Sequence, residues 1–267
     1  MGYLETFGPR ADPATELTWG LIVISVVVAL VVAALVTSGV VLRHSRAGPA
    51  NRPPPTVGGS GLGWFYVGLP LTVLALLVAL VWTVRVLAQI NSPSAKPALT
   101  LVVTAHQWWW EVTYLGATPA ETFTTANEIH IPTAEPVLVR LASADAVHSF
   151  WVPALTGKTE TIPGRLNVAW LQADKPGLYR GQCTEYCGVQ HAHMALYVVA
   201  QAPADFAVWR AGQLTNATAP AGGEATTGAA LFVARCGVCH AVPPLHSVPF
   251  WPSGNAPNAN PKCQKYS

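Results

Sequence analysis

Two long, uninterrupted apolar runs dominate the first third of the chain. The first, "LTWGLIVISVVVALVVAALVTSGVVL" from Leu17 to Leu42, holds no charged residue, and it exceeds the ~20 residues a helix needs to cross a hydrocarbon core. The second, "WFYVGLPLTVLALLVALVWTVRVL" from Trp64 to Leu87, is also long enough; Pro70 is expected to kink it, and Arg85 near its far end can snorkel to the interface. The pattern predicts a transmembrane hairpin, with helix 1 over 17–42 and helix 2 over 64–90. The preceding segment 1–16 carries Glu5, Arg10, Asp12 and Glu16, unlike a cleaved signal peptide, which starts basic and has a shorter apolar run. Between the runs, 43–63 holds Arg43, Arg46 and Arg52 without a carboxylate. The positive-inside rule therefore puts this loop in the cytoplasm and both chain ends outside, in the bacterial periplasm or its equivalent.

After the linker "NSPSAKP" the periodicity changes from long apolar blocks to short runs rich in β-branched and aromatic residues, separated by Pro, Gly and Asp. Candidate strands are "LTLVVTA", "WWEVTYL", "EIHI", "PVLVRLAS", "RLNVAWLQ", "GLYRGQC" and "MALYVVA". In "PVLVRLAS", Val137, Val139 and Leu141 alternate against Leu138 and Arg140, as in a strand with one buried face. No helix of any length is expected between Leu99 and Ala200. Pro203 to Ala211 suits a short closing helix with Pro near its start. The stretch 97–212 thus reads as a small β-sandwich or barrel, 213–228 ("QLTNATAPAGGEATTG") as a flexible tether, and 229–267 as a separate C-terminal segment.

Composition supports a chain partly in lipid: 51% of its residues are hydrophobic and 10% charged, well off soluble averages. Between Pro97 and Gly212 there are nine acids against six Lys and Arg, and a mildly acidic face of this kind can steer a basic protein partner. There is no nucleotide-binding glycine loop and no basic cluster suited to nucleic acid.

The densest chemistry lies in "CTEYCGVQHAHM", Cys183 to Met194. Two thiolates spaced C-x3-C with His191 beyond them can hold zinc, which favours Cys and His in tetrahedral sites. Met194 points instead to copper, because thioether, thiolate and imidazole together form a soft ligand set. His148, in "DAVHSFWVPALTGKTETIPGRLN", ends a strand pattern and can be carried to the same place by a β fold. A membrane-tethered copper-binding or delivery protein is the competing functional class, although a tether needs one span and here there are two.

"HSFWVPALTGKTETIPGRLN" followed by "CTEYCGVQHAHM", with "HQWWW" upstream and two spans before it, resembles cytochrome c oxidase subunit II over roughly Leu17 to Val199. The resemblance implies a cupredoxin-like β-barrel bearing a binuclear copper A centre that takes electrons from cytochrome c and passes them to haem in subunit I. Carried over by position, Cys183 and Cys187 would bridge the two coppers, His148 and His191 would each give an imidazole, and Met194 and the Glu185 carbonyl would be weak axial ligands. The Glu185 carboxylate would also help hold magnesium at the junction with subunit I. Trp108 would be the point at which electrons enter, and Asp145 an acidic docking position for cytochrome c. Lys158, Glu160, Arg165 and Asn167 lie in the loop that would pack on subunit I. His193 has no role in the pattern and reads as an exposed or structural histidine. Many family members carry a glutamate at the start of the second span that feeds a proton path; "GGSGLGWFYVG" has none, which puts proton uptake through this subunit in doubt.

"CGVCH", Cys236 to His240, spells the attachment signal for covalent haem c, with Cys236 and Cys239 as thioether donors and His240 as iron ligand. Its lead-in resembles the cytochrome c domain fused to subunit II in caa3-type oxidases. The two methionines are Met1 and Met194, which leaves none for a distal haem ligand. His246 is too close in sequence to reach the opposite haem face, and the Pro-, Asn- and Ser-rich tail containing Cys263 does not read as packed helices. The expectation is a short, incomplete cytochrome c segment.

Overall fold

The computed structural model describes residues 4–45, 62–93, 95–215 and 221–236. Helix α1 runs Asp12–Ser45 and α2 runs Leu62–Asn91. Both extend beyond the expected apolar runs, with Asp12 in the first turn of α1, where a carboxylate suits the positive end of the helix dipole. Pro70 lies inside α2. The large apolar side chains of both helices are exposed along most of their length, and both helices are long and apolar enough to cross a membrane. Where the helices approach, Gly20 lies under the Trp82 ring, so closely that a Cβ would collide with it. Arg46 and Arg52, on which the cytoplasmic reading of the loop partly rests, fall outside the described residues.

The β domain contains ten strands in two five-stranded sheets. They are β1 Leu99–His106, β2 Trp109–Tyr114, β3 Phe123–Ala126, β4 Glu128–Pro132, β5 Val137–Ser143, β6 His148–Trp151, β7 Thr159–Thr161, β8 Asn167–Leu171, β9 Gly177–Cys183 and β10 Ala195–Gln201. One sheet has the order β3-β2-β1-β5-β8 and the other β4-β10-β9-β6-β7. The β1–β5 and β4–β10 pairs are parallel and the remaining pairs antiparallel. Alternate residues of β1, β2, β5 and β10 face inward, placing Leu101, Val103, Trp110, Val112, Tyr114, Val139, Leu141, Leu196 and Val198 in one core. Burying side chains of this size contributes about 1.5–3 kcal/mol each. All seven expected strands form; β3, β6 and β7 are additional. Between β1 and β10 the described helical structure is confined to two three-residue turns, Pro119–Glu121 and His191–His193.

Helix α3, Pro203–Gln213, closes one end of the sandwich. Its Trp209 stacks on His130, with ring centroids 4.0 Å apart and planes 6° from parallel. Helix α4, Gly223–Arg235, corrects the expected tether. The Ala and Glu of "GEATTGAALFVAR" are good helix formers, so helix begins inside the stretch expected to be flexible. The architecture is therefore two apolar helices followed by an all-β domain. Of the haem signal, Cys236 is the residue that caps the C-terminal end of α4, and it is exposed. Cys239, His240, His246 and Cys263 lie outside the described residues.

Candidate metal centre

Strand pairing brings the distant parts of the site together. His148 opens β6, Cys183 ends β9, and the two strands pair with Phe150 opposite Cys183. The loop after β9 is pinned at both ends: the Cys183 N–H donates to the Met194 carbonyl at 2.9 Å, and the Thr184 N–H to the Ser149 carbonyl at 3.1 Å. Between these points the chain returns Cys187, His191 and Met194 towards Cys183.

The resulting donor cluster is compact. The Cys183 and Cys187 sulfurs are 3.8 Å apart, far beyond the ~2.05 Å of a disulfide. Cys183 Sγ lies 3.9 Å from His148 Nδ1 and 3.2 Å from the Glu185 carbonyl oxygen. Cys187 Sγ lies 3.5 Å from His191 Nδ1 and 3.8 Å from the Met194 sulfur. His148, Cys183, Cys187 and Met194 are buried, and His191 is partly exposed. Trp110 and Phe150 form an apolar wall, with the Trp110 ring edge-on to both Phe150 and His148.

The surroundings push the two thiols in opposite directions. Burial disfavours a Cys183 thiolate, but the hydrogen bond with His148 and those with the backbone of Ser149 and Glu185 outweigh it and pull the thiol below its ordinary range. Burial and the adjacent Cys183 charge push Cys187 the other way. For His148, burial opposes protonation, yet the hydrogen bond to Asp145 and the Cys183 sulfur raise it to about 9. Two thiolates side by side thus need a compensating cation. Two sulfurs, two imidazoles, a thioether and a carbonyl form a set that favours a soft ion such as copper over harder cations.

Asp145, expected at a docking surface, also supports the site from within. Its Oδ1 is 2.7 Å from His148 Nε2, and it accepts the backbone N–H groups of Gln107 and Ala146. About one third of its side chain remains exposed. Trp108, half-buried, donates its indole N–H to the Cys187 carbonyl at 3.1 Å. Gln107 donates its side-chain N–H to the same oxygen at 2.7 Å. Gly188 makes this approach possible: its φ is +123°, and a Cβ there would lie 2.9 Å from the Trp108 ring. Neither the Gln107 contact nor the Asp145–His148 bond can be read from the sequence, since each depends on tertiary pairing. Glu185 also lines a cleft of about 420 Å³, with Ser149, Lys158, Thr159, Glu160, Asn167 and Thr184. His193 stays outside the cluster, exposed and bonded to Gln190 at 2.6 Å.

Comparison with known proteins places the chain in a family. The family described as cytochrome c oxidase subunit II, periplasmic domain, matches residues 115–201. Cytochrome c oxidase subunit 2 of Alkalihalophilus pseudofirmus is 31% identical over 243 residues, covering 90% of this chain and 70% of that protein. The chain belongs to the cytochrome c oxidase subunit 2 family. The subunit 2 of Bacillus sp. strain PS3 is 33% identical over 218 residues, covering 76% of this chain and 60% of that protein. The crystal structure of the periplasmic domain of subunit II of cytochrome oxidase from Bradyrhizobium japonicum is 31% identical, with a TM-score of 0.42, covering 45% of this chain and 96% of that one. The family implies a copper A centre, and the convergent donor set provides a pocket whose chemistry fits one. The family also gives the β domain its cupredoxin-like class and makes the two apolar helices a membrane anchor.

Proposed function

We propose that the chain is the electron-accepting subunit of a haem-copper terminal oxidase, taking electrons from cytochrome c and handing them to haem in subunit I, where oxygen is reduced to water with coupled proton translocation. The observation that carries this reading is the pair of sulfurs 3.8 Å apart with two imidazole nitrogens, a thioether and a carbonyl converging on them. Cys183, Cys187, His148, His191, Met194 and the Glu185 carbonyl would together hold a pair of coppers, with the two thiolates as its principal donors, the two imidazoles beside them, and the thioether and carbonyl completing the set. When bound, the copper pair supplies a one-electron couple shared between two ions.

The protein's own task is to hold these donors still. Strand pairing fixes Cys183 against Phe150, and the Asp145 carboxylate fixes the His148 ring. A partner carboxylate of this kind orients a ligating imidazole and raises its basicity. Trp108 is assigned as the point at which electrons enter, its indole N–H bonded to the backbone of Cys187. The exposed edge of Asp145 is assigned to docking of cytochrome c. The Glu185 carboxylate and its cleft are assigned to magnesium and to contact with subunit I, together with Lys158, Glu160, Arg165 and Asn167. On this reading the protein is a multi-pass component of the bacterial plasma membrane, with the copper domain on the outer side. Cys236, Cys239 and His240 remain a candidate for covalent haem c on sequence alone, and a haem stain of the denatured chain decides it.

The full-length chain, extracted in detergent and loaded with copper, should give a mixed-valence EPR signal from two equivalent coppers. A single blue or type 2 signal, or a silent metal, would refute the assignment. Trp108→Phe should slow oxidation of cytochrome c in the assembled oxidase and leave the copper spectrum unchanged; an unaltered rate removes Trp108 from the path.

A further inference from the structure

Trp170 is buried on the wrong side of its sheet. In β8 its neighbours Ala169 and Leu171 belong to the sandwich core, whereas Trp170 does not; Val168, two residues away on the same outward face, is 58% exposed. Trp170 is nevertheless only 4% exposed, held by the two ends of the membrane hairpin. Its indole N–H donates to the carbonyl of Ile90, in the last turn of α2, at 3.0 Å. Its own carbonyl accepts the Arg10 guanidinium at 2.6 Å, just ahead of α1, and the Thr156 hydroxyl at 3.2 Å. The Arg10 guanidinium also lies 5.9 Å from the Trp170 ring centroid.

The segment ahead of α1 strengthens this joint. The Phe7 N–H donates to the Ala154 carbonyl at 2.8 Å, and the Phe7 carbonyl accepts the Asp174 N–H at 2.9 Å, so the backbone bridges two loops of the β domain. Gly8 lies flat against the Gln172 carbonyl, where a Cβ would collide. Ala154 lies three residues past the end of the strand that carries His148.

Covalently, the hairpin and the β domain are joined by residues 92–98 alone. Seven residues can reach about 25 Å when extended, so the linker by itself leaves the domain free to tilt. We propose that Trp170 is a positioning residue: by tying the end of α2 and the start of α1 to one strand, it fixes the height and tilt of the Cys183 and Cys187 cluster over the membrane, and so its approach to the electron acceptor in the partner subunit. The proposal rests on the electron-transfer reading above. It concerns the step out of the centre and makes no demand on the step in.

The test uses the assembled oxidase with Trp170→Phe, which removes one bond, and with Trp170→Phe combined with Arg10→Ala, which removes both. After rapid injection of an electron, reduction of the centre by the external donor and its loss to the partner's haem are followed separately. The centre's spectrum and the donor-side rate should be unchanged, while the onward step slows about tenfold in the double variant, as small misplacements of reacting groups do. Arg10→Lys in the Trp170→Phe background should recover part of the loss. An unchanged onward rate overturns the proposal. If the double variant fails to assemble, hydrogen exchange on the full chain in lipid nanodiscs decides. The Phe7 and Asp174 amides should lose protection at least tenfold while the Cys183 and Tyr197 amides keep theirs, and equal protection overturns the proposal. Absence of a mixed-valence copper signal from the wild-type chain would sink the electron-transfer reading and leave the exchange result to stand on its own.

Discussion

At the scale of the residue, Asp145 does more with one carboxylate than a surface acid would. One oxygen sets the His148 ring so that Nδ1 faces Cys183, and the other holds the turn at Gln107, whose side chain reaches the Cys187 carbonyl. Both halves of the donor set therefore lean on the same group. Asp145→Ala should weaken copper binding about 10–100-fold, the usual effect of losing such a partner, as measured by competition with a chelator on the full chain. Wild-type affinity would mean that strand pairing alone orients His148. Gly188→Ala should cost about 1–3 kcal/mol, because an L side chain is strained at a positive φ, and the new methyl would also press on Trp108. Denaturant unfolding gives that number directly. The ligand residues are legible in the sequence because their chemistry is in their identity. Gln107 is not, because its role depends on which carbonyl it meets 80 positions away.

At the scale of the element, the hydrophobic pattern finds the strands of five or more residues and misses the shorter ones. β1 and β10 alternate cleanly between buried and partly exposed positions, and both are predicted from the pattern. β6 has three buried residues in succession and spans four residues, and β7 spans three. A period of two cannot register in segments so short or so uniformly buried. Yet β6 is the strand that delivers His148, so its packing bears directly on the site. Phe150 is fully buried and edge-on to Trp110 at 5.7 Å. Phe150→Ala should therefore cost about 3–5 kcal/mol of stability and lower copper affinity as well, the first seen by chemical denaturation and the second by the same chelator competition. A loss of stability with unaltered affinity would show that the site is insulated from its strand.

At the scale of the whole molecule, the apolar hairpin is written plainly in composition, while its fastening to the β domain is not. That fastening depends on backbone carbonyls of Ile90, Ala154 and Trp170, and a carbonyl carries no signature in the sequence. The same two-part build predicts how the molecule responds to loss of metal. Cys183, Cys187 and Met194 join the edge of the buried cluster, but most of it, including Leu101, Val103, Val112, Tyr114, Val139 and Val198, consists of apolar side chains that bind no metal, unlike small domains that unfold when their metal leaves. Metal bound to the folded state adds stability only through linkage, about 2.7 kcal/mol when free metal stands at 100 times Kd. Chelated full-length chain should keep its far-UV circular dichroism and still unfold cooperatively, at a lower temperature that returns when copper is added. Loss of the β signal on chelation would instead make the metal part of the fold. The core would then be too weak to hold the cysteines 3.8 Å apart by itself, and the sulfur separation would be a consequence of the metal rather than a preparation for it.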